Sequence, residues 1–339
     1  MRLIPDEGSG HERIILVGEA GGTTESAQLR PFVGEAGRRL DEWTTFAGLR
    51  RDDLYITNTY PMQPPGNKLN LVPKGELAYW IDKLHDRLAR LKDPWLLVPT
   101  GATALRALTG HSKITSWRGS ILSYRDRAGR TVKVIPTLHP AFILRKPAFE
   151  RRCRRDWLRI AKDATFRELR LPSREHMIRP TLDDVRWYLK EVASRDEPLA
   201  IDIETPRSLT LVEQPPTKKG TPRKPKRVKG DRRIVCLALS QDPSFSLTIP
   251  TTVSYWRDQE IVDQVWDLVR ALCATSCPKV FHHGLFDTWW LARYGVTVAN
   301  WQWDTLAAHH ALDAADAHAL AYLASIDSRQ PFWKFMKDA

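Results

Sequence analysis

The stretch LAIDIETP, residues 199–206, places Asp202 and Glu204 two positions apart in an otherwise apolar run. In an extended strand residues i and i+2 point to the same face. Both carboxylates therefore share one face, and Leu199, Ile201 and Ile203 share the other. Adjacent acids repel unless a cation lies between them, and hard oxygen donors suit Mg²⁺ or Mn²⁺. An edge strand with ordinary surface acids is the plain alternative. The strand also starts late, at residue 199 of 339, so a large part of the chain precedes it.

That preceding part alternates strand and helix. RIILVGEA (13–20), DLYITNTY (53–60), PWLLVPTG (94–101) and VKVIPTLHP (132–140) read as strands. GRRLDEWTTFAGL (37–49) and ELAYWIDKLHDRLARL (76–91) carry apolar residues at helical spacing between them. Such alternation predicts a mainly parallel sheet covered by helices on both faces, an α/β/α sandwich. A basic helix, RRCRRDWLRIAKDA (151–164), follows. The aperiodic, charged, proline-containing stretch 169–180 marks a boundary. The predicted organisation is a first domain over 1–172, a linker over 173–180 and a second domain over 181–339. In the second, Thr181 caps a helix with Asp184 three places on. Strands at 199–204, 233–240 and 245–250 predict an antiparallel or mixed sheet. The Pro-, Gly- and Lys/Arg-rich segment 206–233 reads as a mobile loop.

Net charge is +12, and it is concentrated: residues 145–179 carry +7 and 206–233 carry +8. Concentrated basicity suits a polyanion. No run of about 18 apolar residues marks a membrane span. The start has no signal-peptide pattern. Four cysteines make no disulfide framework, so a reducing, cytoplasmic compartment is expected. GEAGGTTE (18–25) is not a dinucleotide fingerprint, and GATALRALTG (101–110) lacks the Lys-Ser/Thr of a phosphate loop. Cys273, Cys277, His282 and His283 are of zinc-ligand type, but the segment reads better as a helix end followed by a buried strand.

The ordered segments D-x-E (Asp202, Glu204), HGLFD (283–287) and DTLAA (304–308) resemble the proofreading 3′–5′ exonuclease domain of family A DNA polymerases, a ribonuclease-H-like fold of the DEDD group. The resemblance runs from about residue 180 to the end. It implies Asp202, Glu204 and Asp287 as catalytic ligands of Mg²⁺ or Mn²⁺, with His283 contacting substrate where the family has Asn. The family's fourth acid has no counterpart. WKFMKD (333–338) looks like the segment just before it, so the last acid is expected from another polypeptide or to be lost by truncation.

GEAGGTTESAQLRPFVGEAGRRL, YITNTYPMQPPGNK, LVPTGATALRALTG and TLHPAFILR resemble, in order, the uracil-DNA glycosylase superfamily. The likeness is to its iron–sulfur bacterial and archaeal type and to glycosylase-like domains at the front of phage polymerases. It implies that Phe32 stacks on a flipped uracil and Asn58 pairs with its edge. Glu19 orients water, His139 stabilises the leaving base, Glu25 supports the site, and Arg145 lies near phosphate. Met62 stands where a cluster cysteine belongs, a second falls near Trp80, and no cysteine precedes Cys153. No iron–sulfur cluster is expected.

Together these resemblances imply a phage-polymerase-related, DNA-processing protein of the cytoplasm, of the host if phage-encoded. Its expected partners are uracil-containing DNA, single-stranded or frayed 3′ ends, and a separate polymerase chain. The rival expectation is a catalytically weakened DNA-binding accessory subunit.

Overall fold

Ile15, Leu16 and Val17 are consecutive and wholly buried, which requires a strand covered on both faces. In the computed structural model, which describes residues 2–206, 209–212, 226–229 and 233–332, they lie in an inner strand of the first sheet. The chain divides into two units: residues 1–171 with 321–339, and residues 172–320.

The first unit holds β1 (Ile14–Ala20), α1 (Thr23–Gln28), α2 (Glu35–Phe46), β2 (Leu54–Tyr60), α3 (Lys74–Arg90), β3 (Leu96–Pro99), α4 (Ala102–Thr109), α5 (Ile114–Trp117), β4 (Leu122–Arg125), β5 (Thr131–Val134), α6 (Pro140–Arg145) and α7 (Glu150–Asp163). Strand order is β2-β1-β3-β5-β4, parallel except for β4 against β5. Ile14, Leu16, Leu54 and Ile56 pack with Leu40 and Trp43 of α2 and Trp157 of α7. Ile15, Val17 and Leu97 pack on the opposite face with Leu84 and Leu88 of α3. The expected α/β/α sandwich is thus present. The strand read at 132–140 ends at Val134, and the chain then runs irregularly to Thr137, which bridges Thr100.

The second unit holds β6 (Glu175–Met177), α8 (Leu182–Ala193), β7 (Leu199–Glu204), β8 (Leu209–Val212), β9 (Lys226–Lys229), β10 (Cys236–Asp242), β11 (Phe245–Pro250), α9 (Val253–Trp256), α10 (Gln259–Cys273), β12 (Lys279–Phe281), α11 (Gly284–Ala292), β13 (Trp301–Asp304) and α12 (Thr305–Leu312). Its mixed sheet runs β13-β12-β7-β10-β11-β6. Ile201 and Ile203 face a core built with α8 and α10. The capping box of α8 forms as the sequence predicts, with the Thr181 hydroxyl accepting from the Asp184 N–H at 3.2 Å.

Three features differ from expectation. The 173–180 stretch contains β6, which pairs in parallel with β11. The basic segment read as a loop contains an antiparallel pair, β8 with β9; the rest of 207–232 lies outside the described residues, as does 333–338. The helix α13 (Leu320–Asp327), assigned by sequence to the second domain, belongs to the first unit from Ala321 onward. Tyr322 there receives a hydrogen bond from Arg118, and Arg329 holds Asp163 at 2.8 Å. Two arginines of the basic α7 are engaged in this way: Arg155 pairs with Asp327, and Arg159 donates to the Ser325 carbonyl at 2.6 Å. These two arginines are thus engaged within the chain, Arg155 by a carboxylate and Arg159 by a backbone carbonyl. Among the described residues no helix is long and apolar enough to cross a membrane.

Candidate functional site

A cavity of about 590 Å³ opens at the carboxyl ends of β1 and β2, where open parallel sheets bind ligands. Glu19, Glu25, Phe32, Asn58, His139 and Arg145, six residues separated by up to 126 positions in sequence, all line it. The register pairs Gly18 directly with Asn58. A Cβ on Gly18 would lie 2.2 Å from the Asn58 Oδ1 and 2.7 Å from the Phe32 ring. Glycine there leaves the room in which amide and ring converge.

Asn58 is buried, and its Oδ1 has no hydrogen-bond partner among the described residues. Buried polar atoms are rarely left so, and an orphan facing a cavity implies a ligand donor. Phe32 adopts φ +50°, a left-handed conformation costly for a bulky residue. Arg51 holds it there by donating to the carbonyls of Pro31 at 2.7 Å and Phe32 at 3.0 Å. Gly37 admits the same turn, since its Cβ would sit 1.9 Å from the Phe32 carbonyl oxygen.

The imidazole of His139 stacks on Phe32 and caps α6, its Nδ1 accepting from the Ala141 N–H at 3.2 Å. The proton of the neutral ring is therefore on Nε2. Burial pushes this histidine's pKa below the ordinary value, so the neutral donor is favoured. Glu19 accepts from the Thr103 N–H at 2.8 Å through Oε1, which leaves Oε2 for other partners. Gly101, at φ +102°, leaves space for that carboxylate. Glu25 is a clamp: it accepts from the N–H groups of Gly22, Val33 and Gly34 at 2.9–3.1 Å and so fixes the turn carrying Phe32. Gly18, Arg51, Gly101 and Thr103 are working parts that the motifs alone do not single out. The glycines were the available signal, because they cluster around the strand ends.

In the second unit Asp202 and Glu204 are exposed on one face of β7, as the alternation predicts. Asp287 is 3% exposed on the first turn of α11 and accepts from the Ile203 N–H at 3.0 Å. Burial, reinforced by the charges of Asp202 and Asp304, pushes its pKa up to about 7. Asp304 is fully engaged as a cap, accepting from the N–H groups of His283, Gly284, Leu306 and Ala307. His283 is exposed, at φ +67°. The donor type suits a hard divalent ion, but among the described residues no three such side chains come together as a cation site. Cys273 and Cys277 are buried apart from any zinc set. An iron–sulfur cluster does not fit the first unit either: its only cysteine is Cys153, buried on α7, with the thiol pushed far up by burial.

Residues 5–162 match the family model of the Uracil DNA glycosylase superfamily. The type-4 uracil-DNA glycosylase of Thermotoga maritima is 37% identical over 154 residues, 44% of this chain and 76% of that protein. The DNA polymerase of Bacillus phage SP01 is 25% identical over 314 residues, which is 89% of this chain and 33% of the polymerase. Among solved structures, the catalytic core of RRP6 from Trypanosoma brucei aligns over 63% of this chain and 50% of that one, at 14% identity; its TM-score of 0.30 is too low to support an inference.

Proposed function

The chain belongs to the uracil DNA glycosylase superfamily, and from that premise we propose that its first unit hydrolyses the glycosidic bond of uracil in DNA. One observation carries the proposal: the buried Oδ1 of Asn58, partnerless among the described residues, beside the Phe32 ring in an open cavity. A uracil turned out of the helix stacks on Phe32 and donates its N3–H to Asn58 Oδ1, while the Asn58 amide N–H reaches O4. His139 donates from Nε2 to O2, where negative charge grows as the base leaves. Glu19, anchored on Thr103, orients a water with its second oxygen. The water oxygen bonds to C1′, the C1′–N1 bond breaks with its electron pair passing to the uracil, and the water proton passes to Glu19. Glu25 keeps Phe32 in place, and Arg145 lies at the cavity where a phosphate would approach. No step needs a metal.

The second unit we read as an exonuclease-type module acting on a DNA 3′ end, with Asp202, Glu204 and Asp287 as its acids and His283 near substrate. Asp287 supports this: burial first, and then the charges of Asp202 and Asp304, push its carboxyl up to about 7, as expected beside other acids with no cation present. Mg²⁺ or Mn²⁺ is the matching ion by donor type. The similarity to a phage polymerase over most of the chain supports the pairing of the two units. A separate polymerase chain that completes the site is part of the same reading.

The test is incubation of the chain with a labelled single strand containing one uracil. Alkali-dependent cleavage at the uracil that survives EDTA and is lost in Asn58→Ala is expected. A ladder shortened from the 3′ end, dependent on Mg²⁺ or Mn²⁺ and lost in Asp202→Ala, is expected from the second unit. Salt-sensitive binding with neither product would overturn both and leave a DNA-binding accessory.

A further inference from the structure

A second concavity of the first unit, about 270 Å³, shares no lining residue with the uracil cavity. One wall is the face of α3 that carries Tyr79, Trp80, Lys83, Arg87 and Arg90, positions that stack at helical spacing. The other wall comes from the N-terminal arm, including Ile4.

Two properties of this pocket need an occupant. The first is aromatic. Tyr79 is 54% exposed, and its ring meets that of Trp80 edge-on at 5.2 Å and 79°. Large aromatic side chains are normally more buried than this. The Lys83 ammonium lies 5.6 Å from the Tyr79 ring centroid.

The second is charge. Both acids that line the pocket are already engaged. Asp6 accepts from the Tyr55 hydroxyl, the Thr57 hydroxyl and Arg87. Asp86 is held by Arg127 and by Lys83. Arg87 is forked between Asp6 and the Asn58 carbonyl, 2.9 Å to each. Arg90 has no ion-pair partner among the described residues and is exposed at the rim.

A half-exposed aromatic ring beside an uncommitted guanidinium matches a flat heterocycle joined to an anion. A bare phosphate would leave the rings unused, and an apolar molecule would leave Arg90 unused. The volume lies just under the roughly 300–1,000 Å³ of small-molecule sites, which admits one unit and no more. We propose that this pocket binds a single nucleotide of a DNA strand, its base against Tyr79 and Trp80 and its phosphate on Arg90. It is a holding site for single strand outside the uracil cavity, and it is independent of whether either unit is catalytic.

The test is anisotropy of a labelled eight-residue oligo-dT, without uracil and with EDTA, titrated with the full chain. Arg90→Glu and Tyr79→Ala each alter exposed side chains, so the fold is retained, and a melting curve checks it. Stacking of one base is worth about 1–3 kcal/mol, so Tyr79→Ala should weaken binding roughly 5- to 150-fold. Arg90→Glu should weaken it at least as much, whereas Leu158→Ala, an exposed side chain of α7 outside both cavities, should change it less than about twofold. Displacement by dAMP assigns the pocket to free nucleotide as well as to strand; no displacement assigns it to strand alone. Wild-type affinity in Tyr79→Ala, or equal weakening by the charge-matched Arg125→Glu, would overturn the proposal, because only general electrostatics would then remain.

Discussion

The imidazole of His139 stacks on the ring of Phe32, with centroids 5.6 Å apart and planes 29° from parallel. A base that reaches Phe32 therefore also comes within reach of His139. Burial holds the pKa of this histidine below the ordinary 6.5, which favours the neutral ring of the proposed donor. Excision should stay nearly constant from pH 8 down to about pH 6.5 and fall only in more acid solution. Stability has the same sign: the unfolded chain takes up the proton first, so this group's contribution is full above about pH 6.5 and is lost as pH falls toward the folded value. A rate profile with a midpoint at or above pH 7 would contradict the neutral-donor role. His139→Ala should cost about 10²–10³ in single-turnover rate, the size of a lost oxyanion donor.

Gly18→Ala is the sharpest test of the cavity. Its methyl would meet Asn58 Oδ1 and Phe32 at less than contact distance. The backbone at position 18 is ordinary strand paired with Asn58, so the fold should persist with an overpacking cost of about 1–3 kcal/mol. Uracil excision should drop by two orders of magnitude or more while melting shifts by only a few degrees. Unchanged excision would mean that Asn58 and Phe32 do not jointly hold the base.

Sequence and structure agree most closely where a local rule decides the outcome. The alternation in 199–204 yields a strand with Ile201 and Ile203 inward and Asp202 and Glu204 outward. The Thr181–Asp184 capping box forms because both partners lie within three residues. The candidate residues of the first unit came from the resemblance of their motifs to a known family, and the structure brings all six to one cavity. The position of α13 was not legible. Its apolar Tyr322, Leu323 and Ile326 fit any core, and polar contacts such as that of the buried Arg118 with Tyr322 decide which. The basicity of α7 likewise says nothing about whether an arginine meets phosphate or a helix-end carbonyl. Arg51, holding Phe32 in a left-handed turn, carries no sequence signal of its own.

Asp287 gives a prediction that separates structure from catalysis. Its proton is retained up to about pH 7 in the folded chain, against an ordinary 3.8. The stability from that bound proton is full below about pH 3.8 and is lost as pH rises toward 7; beyond that a buried charge remains as a constant cost. Asp287→Asn keeps an oxygen for the Ile203 N–H and removes the charge. It should melt higher than the parent at pH 8, by roughly 1–3 kcal/mol, with the gain vanishing near pH 4. Added Mg²⁺ should stabilise the parent at pH 8 and leave the variant unmoved if the acids take a cation. Equal melting of the two chains at both pH values would show that Asp287 ionises normally.

Residues 321–332 bind the first unit through groups that are costly to leave alone. Arg118 is buried, paired with Asp156 at 2.7 Å, and completed by the Tyr322 hydroxyl. Arg329 closes on Asp163 and on the Leu169 carbonyl. A chain ended after Leu320 removes these partners and, with them, the buried apolar Tyr322, Leu323 and Ile326. It should lose about 3 kcal/mol or more from the first unit, read as faster hydrogen exchange along Ile14–Ala20. Tyr322→Phe removes one hydroxyl and should cost about 1 kcal/mol. Arg155→Ala breaks a pair whose side chains are both more than 40% exposed, and should cost little. The ordering of these three changes is the test. A truncated chain that protects β1 as well as the full one would mean that α13 rests on the first unit without supporting it.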